Sequence, residues 1–317
     1  MEIAYGPVPS RRLGQSLGIN NIPPKTCTYA CVYCQLGPTT TSGTDRLDFY
    51  ATDEIVEAVE TRVQAAREND EPIDYLSFVP DGEPTLDANL EETITRLQPL
   101  GIDIAVITNG SLIAQADVRE ALLEADYVSL KVDAGAADIW AEVDRPNGRL
   151  SFDSIVRGAK LFASEFDGTL TTETMLVDGV NDDELSLRKT AELVAEIAPD
   201  TAYIAVPTRP PDEEWVEPPD EATLATAYQL FDDRIDETEY LIGAEPDTFA
   251  STGDVRTDIL SATAVHPMRQ SGLEELLAQE GVDWDVVEAL LDSGELITRD
   301  YRDTTFYMRP IAAAERD

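Results

Sequence analysis

The chain has 317 residues, 43% of them hydrophobic, and sets 63 acidic side chains against 23 basic ones for a formal net charge of −40. That length and apolar content exclude a chain too short or too polar to bury its own core, and predict one large domain, alone or with a small appendage. The acid is spread along the whole sequence, which excludes a disordered acidic tail, and it gives no basic footprint for nucleic acid.

In chain order, the first predicted strand is "SLGINNIP", residues 16–23. A loop carrying Cys27, Cys31 and Cys34 follows it. Next comes a helix with Ile55, Val59 and Val63 on one face, with Thr52 expected as its cap and Asp53 and Glu54 in its first turn. Apolar runs at residues 75–80, 102–108, 127–133, 169–177 and 202–207 read as buried parallel strands. Between them "LEETITRLQPLG", "DVREALLEAD" and "DELSLRKTAELVAEI" have helical periodicity. Six βα units with right-handed crossovers predict an α/β fold, either a partial barrel or a doubly wound sheet. Both place chemistry at the carboxyl ends of the strands, where the polar motifs fall.

The cysteines carry the strongest signal. A C-x3-C-x2-C loop brings three thiolates together, with Tyr33 just before the last. Thiolates select zinc or iron–sulfur clusters. A closed zinc site needs four ligands, yet the chain has no fourth cysteine and its one histidine, His266, lies more than 230 residues away. Three ligands to a [4Fe–4S] cluster leave one iron open to a substrate or cofactor, so the spacing favours that cluster over zinc. A structural disulfide is the weakest reading, because three cysteines cannot all pair.

Three further motifs end strands. In "DGEPTL", Gly82 permits close backbone approach, and Glu83 offers a carboxylate suited to an ammonium group; an ordinary β-to-α turn is the plainer alternative. In "TNGS", Asn109 and Gly110 read first as a turn and second as a ligand contact. In "SLKVDAG", Ser129, Lys131 and Asp133 fall on one face of a strand and need interior partners. Only four lysines occur in the chain, which singles out Lys131.

"CTYACVYC" resembles the cluster motif of the radical S-adenosylmethionine (SAM) superfamily, "DGEP" resembles its methionine-amine motif, and the strand spacing fits its partial (βα)6 TIM-like barrel. The flanks "GPVPSRRLGQSLGINNIPPKTC" and "VPTRPP" look like a prokaryotic group of Fe–S oxidoreductases related to the wyosine-base synthases of tRNA. The resemblance implies that Cys27, Cys31 and Cys34 hold a [4Fe–4S] cluster and that SAM chelates the fourth iron. Glu83 and the Gly82 backbone would then hold the SAM amine. Ser129 and Lys131 would lie near its ribose and carboxylate, with Asn109 and residues 171–175 lining the cavity. It further implies reductive cleavage of SAM to a 5′-deoxyadenosyl radical that abstracts hydrogen from a substrate the sequence does not identify, fed by an electron donor such as ferredoxin or flavodoxin. A tRNA base is the alternative substrate.

Two departures stand out. Asp81 replaces a glycine of the usual motif and adds a charge beside the SAM site. No cysteine remains for the second cluster of pyruvate-using wyosine synthases.

The predicted domains are 1–250, the barrel, and 251–317, a winged-helix-like unit of two helices and an arginine-bearing hairpin. The acid at Asp283, Asp285, Glu288, Asp292 and Glu295 argues against phosphate contact by its second helix and favours a lid, docking or dimerisation role. A zinc-stabilised or cluster-sensing winged-helix binding protein is the reading of another class. His266 reads as structural or capping; Arg11 and Arg12 read as surface arginines or an anion-binding pair.

No stretch approaches 18 consecutive apolar residues, which predicts a cytoplasmic protein without a membrane partner. An acidic, lysine-poor surface repels itself in dilute buffer, whereas at molar salt the Debye length falls to about 3 Å. Together with the resemblance, the charge points to a halophilic archaeal source.

Overall fold

The computed structural model describes residues 2–242 and 254–310. Its strands in chain order begin with β1 (Ala4–Ser10), β2 (Gly14–Ile19), β3 (Thr26–Cys27) and β4 (Thr41–Ser42). They continue with β5 (Tyr75–Phe78), β6 (Asp103–Thr108), β7 (Tyr127–Lys131), β8 (Thr169–Met175), β9 (Thr201–Ala205) and β10 (Thr238–Leu241). One eight-stranded sheet runs β1-β2-β5-β6-β7-β8-β9-β10. It is parallel from β2 onward, and only β1 runs antiparallel to its neighbour.

All six expected strands are present. The sheet gains an edge strand at each end, β1 and β10. The first expected strand is displaced: it starts at Gly14 and stops at Ile19. Beyond it the chain meets Pro23 and Pro24, which offer no N–H to a ladder. There Asn20 and Asn21 turn their amides to the Glu2 and Pro84 carbonyls instead.

Alternation along the strands separates two environments. Outward residues Leu17, Leu76, Phe78, Ile104, Val106, Val128, Leu130 and Ile204 are buried under helices. Those helices are α1 (Thr52–Glu68), α2 (Leu90–Leu97), α3 (Ala116–Leu123), α4 (Ala137–Val143), α5 (Phe152–Glu165), α6 (Glu184–Ile197) and α7 (Glu221–Asp232). Ile55, Val59 and Val63 face the core from α1, as the periodicity predicts. Thr52 is not the cap. It is the first helical residue and buries its side chain, and Ala51 takes the cap position without a side-chain bond.

The inner face is polar. Ser16 bonds Ser77 at 2.6 Å and the Tyr127 hydroxyl bonds Thr171 at 2.9 Å. A barrel that existed only to fold would fill this space with branched apolar side chains. The β1–β2 turn closes the barrel's amino end: Leu13 is buried against Ala105 and Tyr127.

The remaining described elements are α8 (Val255–Val265), β11 (Met268–Arg269), α9 (Gln270–Glu280), α10 (Asp285–Asp292), β12 (Ile297–Tyr301) and β13 (Thr304–Met308). They form a three-stranded sheet, β11-β13-β12, over an apolar cluster of their own that includes Ile259, Met268, Leu273, Leu276, Val287 and Leu290. The expected two helices and a hairpin are here, preceded by a further helix, α8, which Asp254 caps through the Thr257 N–H. Helix, strand, two helices and hairpin is the order of a winged helix. The expected boundary at 250–251 lies outside the described residues. Among the described residues no helix is long and apolar enough to cross a membrane.

Candidate functional site

The cysteine loop leaves β2 and is tied down on three sides. Lys25, in the left-handed region at φ 61°, turns the chain into β3, and its carbonyl accepts the N–H groups of Thr40 and Thr41. The Val32 N–H donates to the Val143 carbonyl at the end of α4, and the Val32 carbonyl accepts from the Glu213 N–H. Cys34 N–H closes a turn onto the Cys31 carbonyl at 3.1 Å.

The three thiols are half-buried and unpaired in disulfides. Burial raises all three, and Cys27 and Cys31 also feel another thiol: Cys27 is pushed up to about 12, Cys31 well above the ordinary thiol range, and Cys34 upward. Neutral thiols suit this pocket as it stands, and a bound cation would turn them into thiolates. Among the described residues no three His, Cys, Asp or Glu side chains already stand in the geometry of a single-ion site. The fit to an iron–sulfur group therefore rests on donor chemistry, three thiols and no imidazole, and on the Asn109 side-chain amide, whose Nδ2 lies 3.6 Å from Cys27 Sγ. Such donors to a ligating sulfur tune a cluster.

The Asp81–Gly82–Glu83 turn ends β5 and packs directly under this loop. Gly82 is at φ +151°, and a Cβ there would stand 1.9 Å from the Thr26 carbonyl oxygen, so only glycine fits. The Glu83 N–H donates to that same carbonyl at 3.1 Å. Asp81, the departure from the usual motif, is neutralised: Lys25 Nζ sits 3.0 Å from its carboxylate.

Glu83 is 1% exposed. Its Oε1 accepts from the Thr85 N–H at 3.0 Å, the Thr85 hydroxyl at 2.6 Å and the Thr108 hydroxyl, and its Oε2 accepts from the Asn109 N–H at 2.8 Å. Burial raises its carboxyl, and those hydrogen bonds pull the other way. Glu83 thus clamps the ends of β5 and β6 together, with Oε2 accepting one of the four bonds. Asn109 extends the clamp, its Nδ2 donating to Thr28 Oγ1 at 2.8 Å.

On β7 and β8, Lys131 lies opposite Glu173 in register and pairs with it at 2.6 Å. The other Glu173 oxygen takes Arg12 at 2.6 Å. Burial alone would raise Glu173, but Lys131 and Arg12 overcome it and hold the carboxyl at about 2. Lys131 Nζ also lies 4.8 Å from the centre of the Tyr33 ring. The Tyr33 hydroxyl donates to Asp133, and Asp144 is 3.4 Å away from it. Asp144 in turn accepts from the Cys31 thiol at 3.4 Å.

The predicted residues Tyr33, Gly82, Glu83, Asn109 and Lys131 therefore gather around the three cysteines. Ser129 sits deeper in the barrel, where its hydroxyl accepts from Arg12 at 3.0 Å. The sequence offered Arg12 only as a surface arginine or half of an anion-binding pair and Glu173 only as part of the 171–175 strand end; the structure pairs the two with each other. Glu173 had a usable signal, as an acid in a strand of threonines opposite Lys131. The place of Arg12 beside Ser129 and Glu173 had none, because only the fold brings the β1–β2 turn to the barrel interior.

A family model for the radical SAM superfamily matches residues 21–191. The UPF0026 protein MJ1312 of Methanocaldococcus jannaschii is 42% identical over 319 aligned residues, covering 100% of this chain and 99% of that protein. The chain belongs to the radical SAM superfamily and, within it, to the UPF0026 family. Solved structures agree on the fold. SuiB of Streptococcus suis bound to S-adenosylmethionine superposes with a TM-score of 0.52 at 14% identity, over 80% of this chain and 59% of its own. TYW1 with a lysine–pyruvate adduct gives 0.50 at 15% identity, over 69% and 74%. Superfamily membership implies a [4Fe–4S] cluster and SAM.

Proposed function

We propose that this chain is a radical SAM enzyme whose Cys27, Cys31 and Cys34 hold a [4Fe–4S] cluster. The observation that supports it best is the convergence of three half-buried thiols with Asn109 and the Glu83 clamp at the carboxyl ends of the strands. Bound there, the cluster and SAM would supply one-electron cleavage to a 5′-deoxyadenosyl radical able to take a hydrogen atom from substrate. An external donor of the ferredoxin or flavodoxin class delivers the electron.

The protein's part is positional. Oε2 of Glu83 and the turn at Gly82 receive the SAM amine. Lys131, steadied by Glu173 and stacked over Tyr33, offers a cation to the SAM carboxylate. Leu13 and Arg12 close the floor, so substrate enters from the loop side. The polar inner wall keeps space for cofactor and substrate where a purely structural barrel would be filled.

The test is anaerobic reconstitution with iron and sulfide, reduction with dithionite, addition of SAM, and chromatography for 5′-deoxyadenosine. Formation of that product, lost when Cys27, Cys31 and Cys34 are all replaced by alanine, is the expected result. Product from the triple-alanine protein would overturn the reading.

A further inference from the structure

A second concentration of positive charge lies beside the cysteine loop. The β9–α7 connection carries Arg209, whose Nη1 donates to Gln35 Oε1 at 2.9 Å, one residue beyond Cys34. Its Nη2 lies 2.9 Å from His266 Nε2, the chain's one histidine, at the end of α8. Arg11 reaches the Leu241 carbonyl at the end of β10. Arg269 follows on β11. Burial first, and then the fields of Arg11 and Arg269, bring the Arg209 guanidinium down to about 9.

Next to them opens a cleft of about 380 Å³ between the barrel and the C-terminal unit, lined by Thr208, Arg269, Tyr301, Arg302, Thr304 and one carboxylate, Asp303; Arg302 and Asp303 are both exposed. That volume falls in the range of small-ligand sites, roughly 300–1,000 Å³. Several surface arginines of this acidic chain hold carboxylates, as Arg96 holds Asp53, Arg149 holds Asp45 and Arg256 holds Glu295, and others, such as Arg67 and Arg234, hold backbone carbonyls. Among the described residues Arg269 and Arg302 make no such pair. The Tyr301 hydroxyl already donates to the Pro207 carbonyl, so the two guanidiniums and the threonine hydroxyls form the donor set offered to a phosphate.

We propose that this cleft binds a phosphate group of the substrate and so holds it beside the cysteine loop. This rests on the radical SAM reading only for the word substrate. The cation arrangement stands without it. The link to the loop runs through the chain: Thr208 lines the cleft, and the next residue, Arg209, is hydrogen-bonded to Gln35 beside Cys34. The phosphate could belong to a small phosphorylated molecule or to a polynucleotide, and the probes separate the two.

The experiment is calorimetric titration of the reconstituted full chain in molar potassium chloride with inorganic pyrophosphate, and separately with a short single-stranded RNA. Arg269 is half-buried, and contacts to a partly buried charge are screened less than those on an open surface, so binding persists at that salt. The variants are Arg269→Gln and Arg302→Gln; Arg302 is exposed on the β12–β13 turn, so its replacement leaves the fold intact, as a melting curve would verify. We expect wild type to bind pyrophosphate and each variant to bind about tenfold more weakly, the loss of one charge-assisted contact. RNA that competes with pyrophosphate identifies a polynucleotide, and RNA that does not bind identifies a small phosphorylated molecule. Pyrophosphate that fails to bind, or binds folded variants as it binds wild type, overturns the proposal. SAM cleavage is read on the same wild-type sample. Cleavage without pyrophosphate binding removes the phosphate site alone, and binding without cleavage removes the radical reading alone.

Discussion

Replacing Glu83 with glutamine separates two roles that the motif leaves merged. In the structure the carboxylate accepts four hydrogen bonds from its own chain, two from Thr85, one from Thr108 and one from Asn109. Glutamine keeps the shape but turns one oxygen into an NH2 group. Whichever way the amide is placed, at least one donor then faces another donor in a site that is 1% exposed. A hydrogen bond to a charged acceptor contributes about 1.5–3 kcal/mol, and a buried donor left unpaired costs about 1–3 kcal/mol. Removing a buried charge returns some of this, since burial works against the ionised form. The net expectation is a loss of about 2–3 kcal/mol in the protein without cofactor, visible as a lower midpoint in guanidinium unfolding followed by circular dichroism at fixed high salt. Thr108→Val should cost less and should add poorly to Glu83→Gln, because both remove the same bond. If Glu83 served only a ligand amine, glutamine would leave the cofactor-free stability within about 0.5 kcal/mol, the ordinary scatter of a neutral change, and lower SAM affinity alone. That result would refute the clamp.

Two other expectations follow from the same turn. Gly82→Ala places a methyl 1.9 Å from the Thr26 carbonyl and should push β3, and with it Cys27, out of place. Iron retained after reconstitution should fall well below wild type, whereas Gly101→Ala, at φ +69° with open space around it, should lose only about 1 kcal/mol and keep its iron. Normal iron content in Gly82→Ala would contradict the close approach. Asp87 is pushed up to about 6 by burial, against hydrogen bonds from Asn89 and Asn21 and the charge of Arg46. A carboxyl raised in the folded state stabilises the fold fully below its unfolded value of about 4 and loses that contribution as pH rises through about 6. The stability of wild type relative to Asp87→Asn should therefore fall by about 2–3 kcal/mol between pH 4 and pH 6. Unfolding curves that stay parallel across that window would remove Asp87 as the titrating group.

What the sequence revealed and what it hid divide along a physical line. Outward strand positions and helix faces were legible because burial under helices demands apolar residues at fixed periods: Ile55, Val59 and Val63 lie where the pattern puts them. The cysteine spacing was legible because all three thiols fall within one short loop, where spacing can be read directly from the sequence. Thr52 misled, since a threonine before two acids looks the same whether it caps or packs. The edge strands were hidden for a related reason. In β10 the middle residues Glu239 and Tyr240 are exposed, so the run lacks the apolar pattern of its neighbours.

The polar interior follows a different logic, one that pairs residues far apart in sequence. Lys131 was conspicuous for its rarity, but its partner Glu173 is 42 positions away and is set by strand register. Arg12 is farther still from both. Its insertion depends on the β1–β2 turn folding under the barrel, and that turn is held by Leu13 rather than by the arginine itself. The consequence bears on function. With Glu173 bracketed by two cations, Lys131 cannot swing freely, and Ser129 already accepts a bond from Arg12. Of the two residues assigned together, Lys131 is therefore the one held toward the cysteine loop, over the Tyr33 ring. Ser129 belongs to the scaffold that holds Glu173, and through it Lys131, in place.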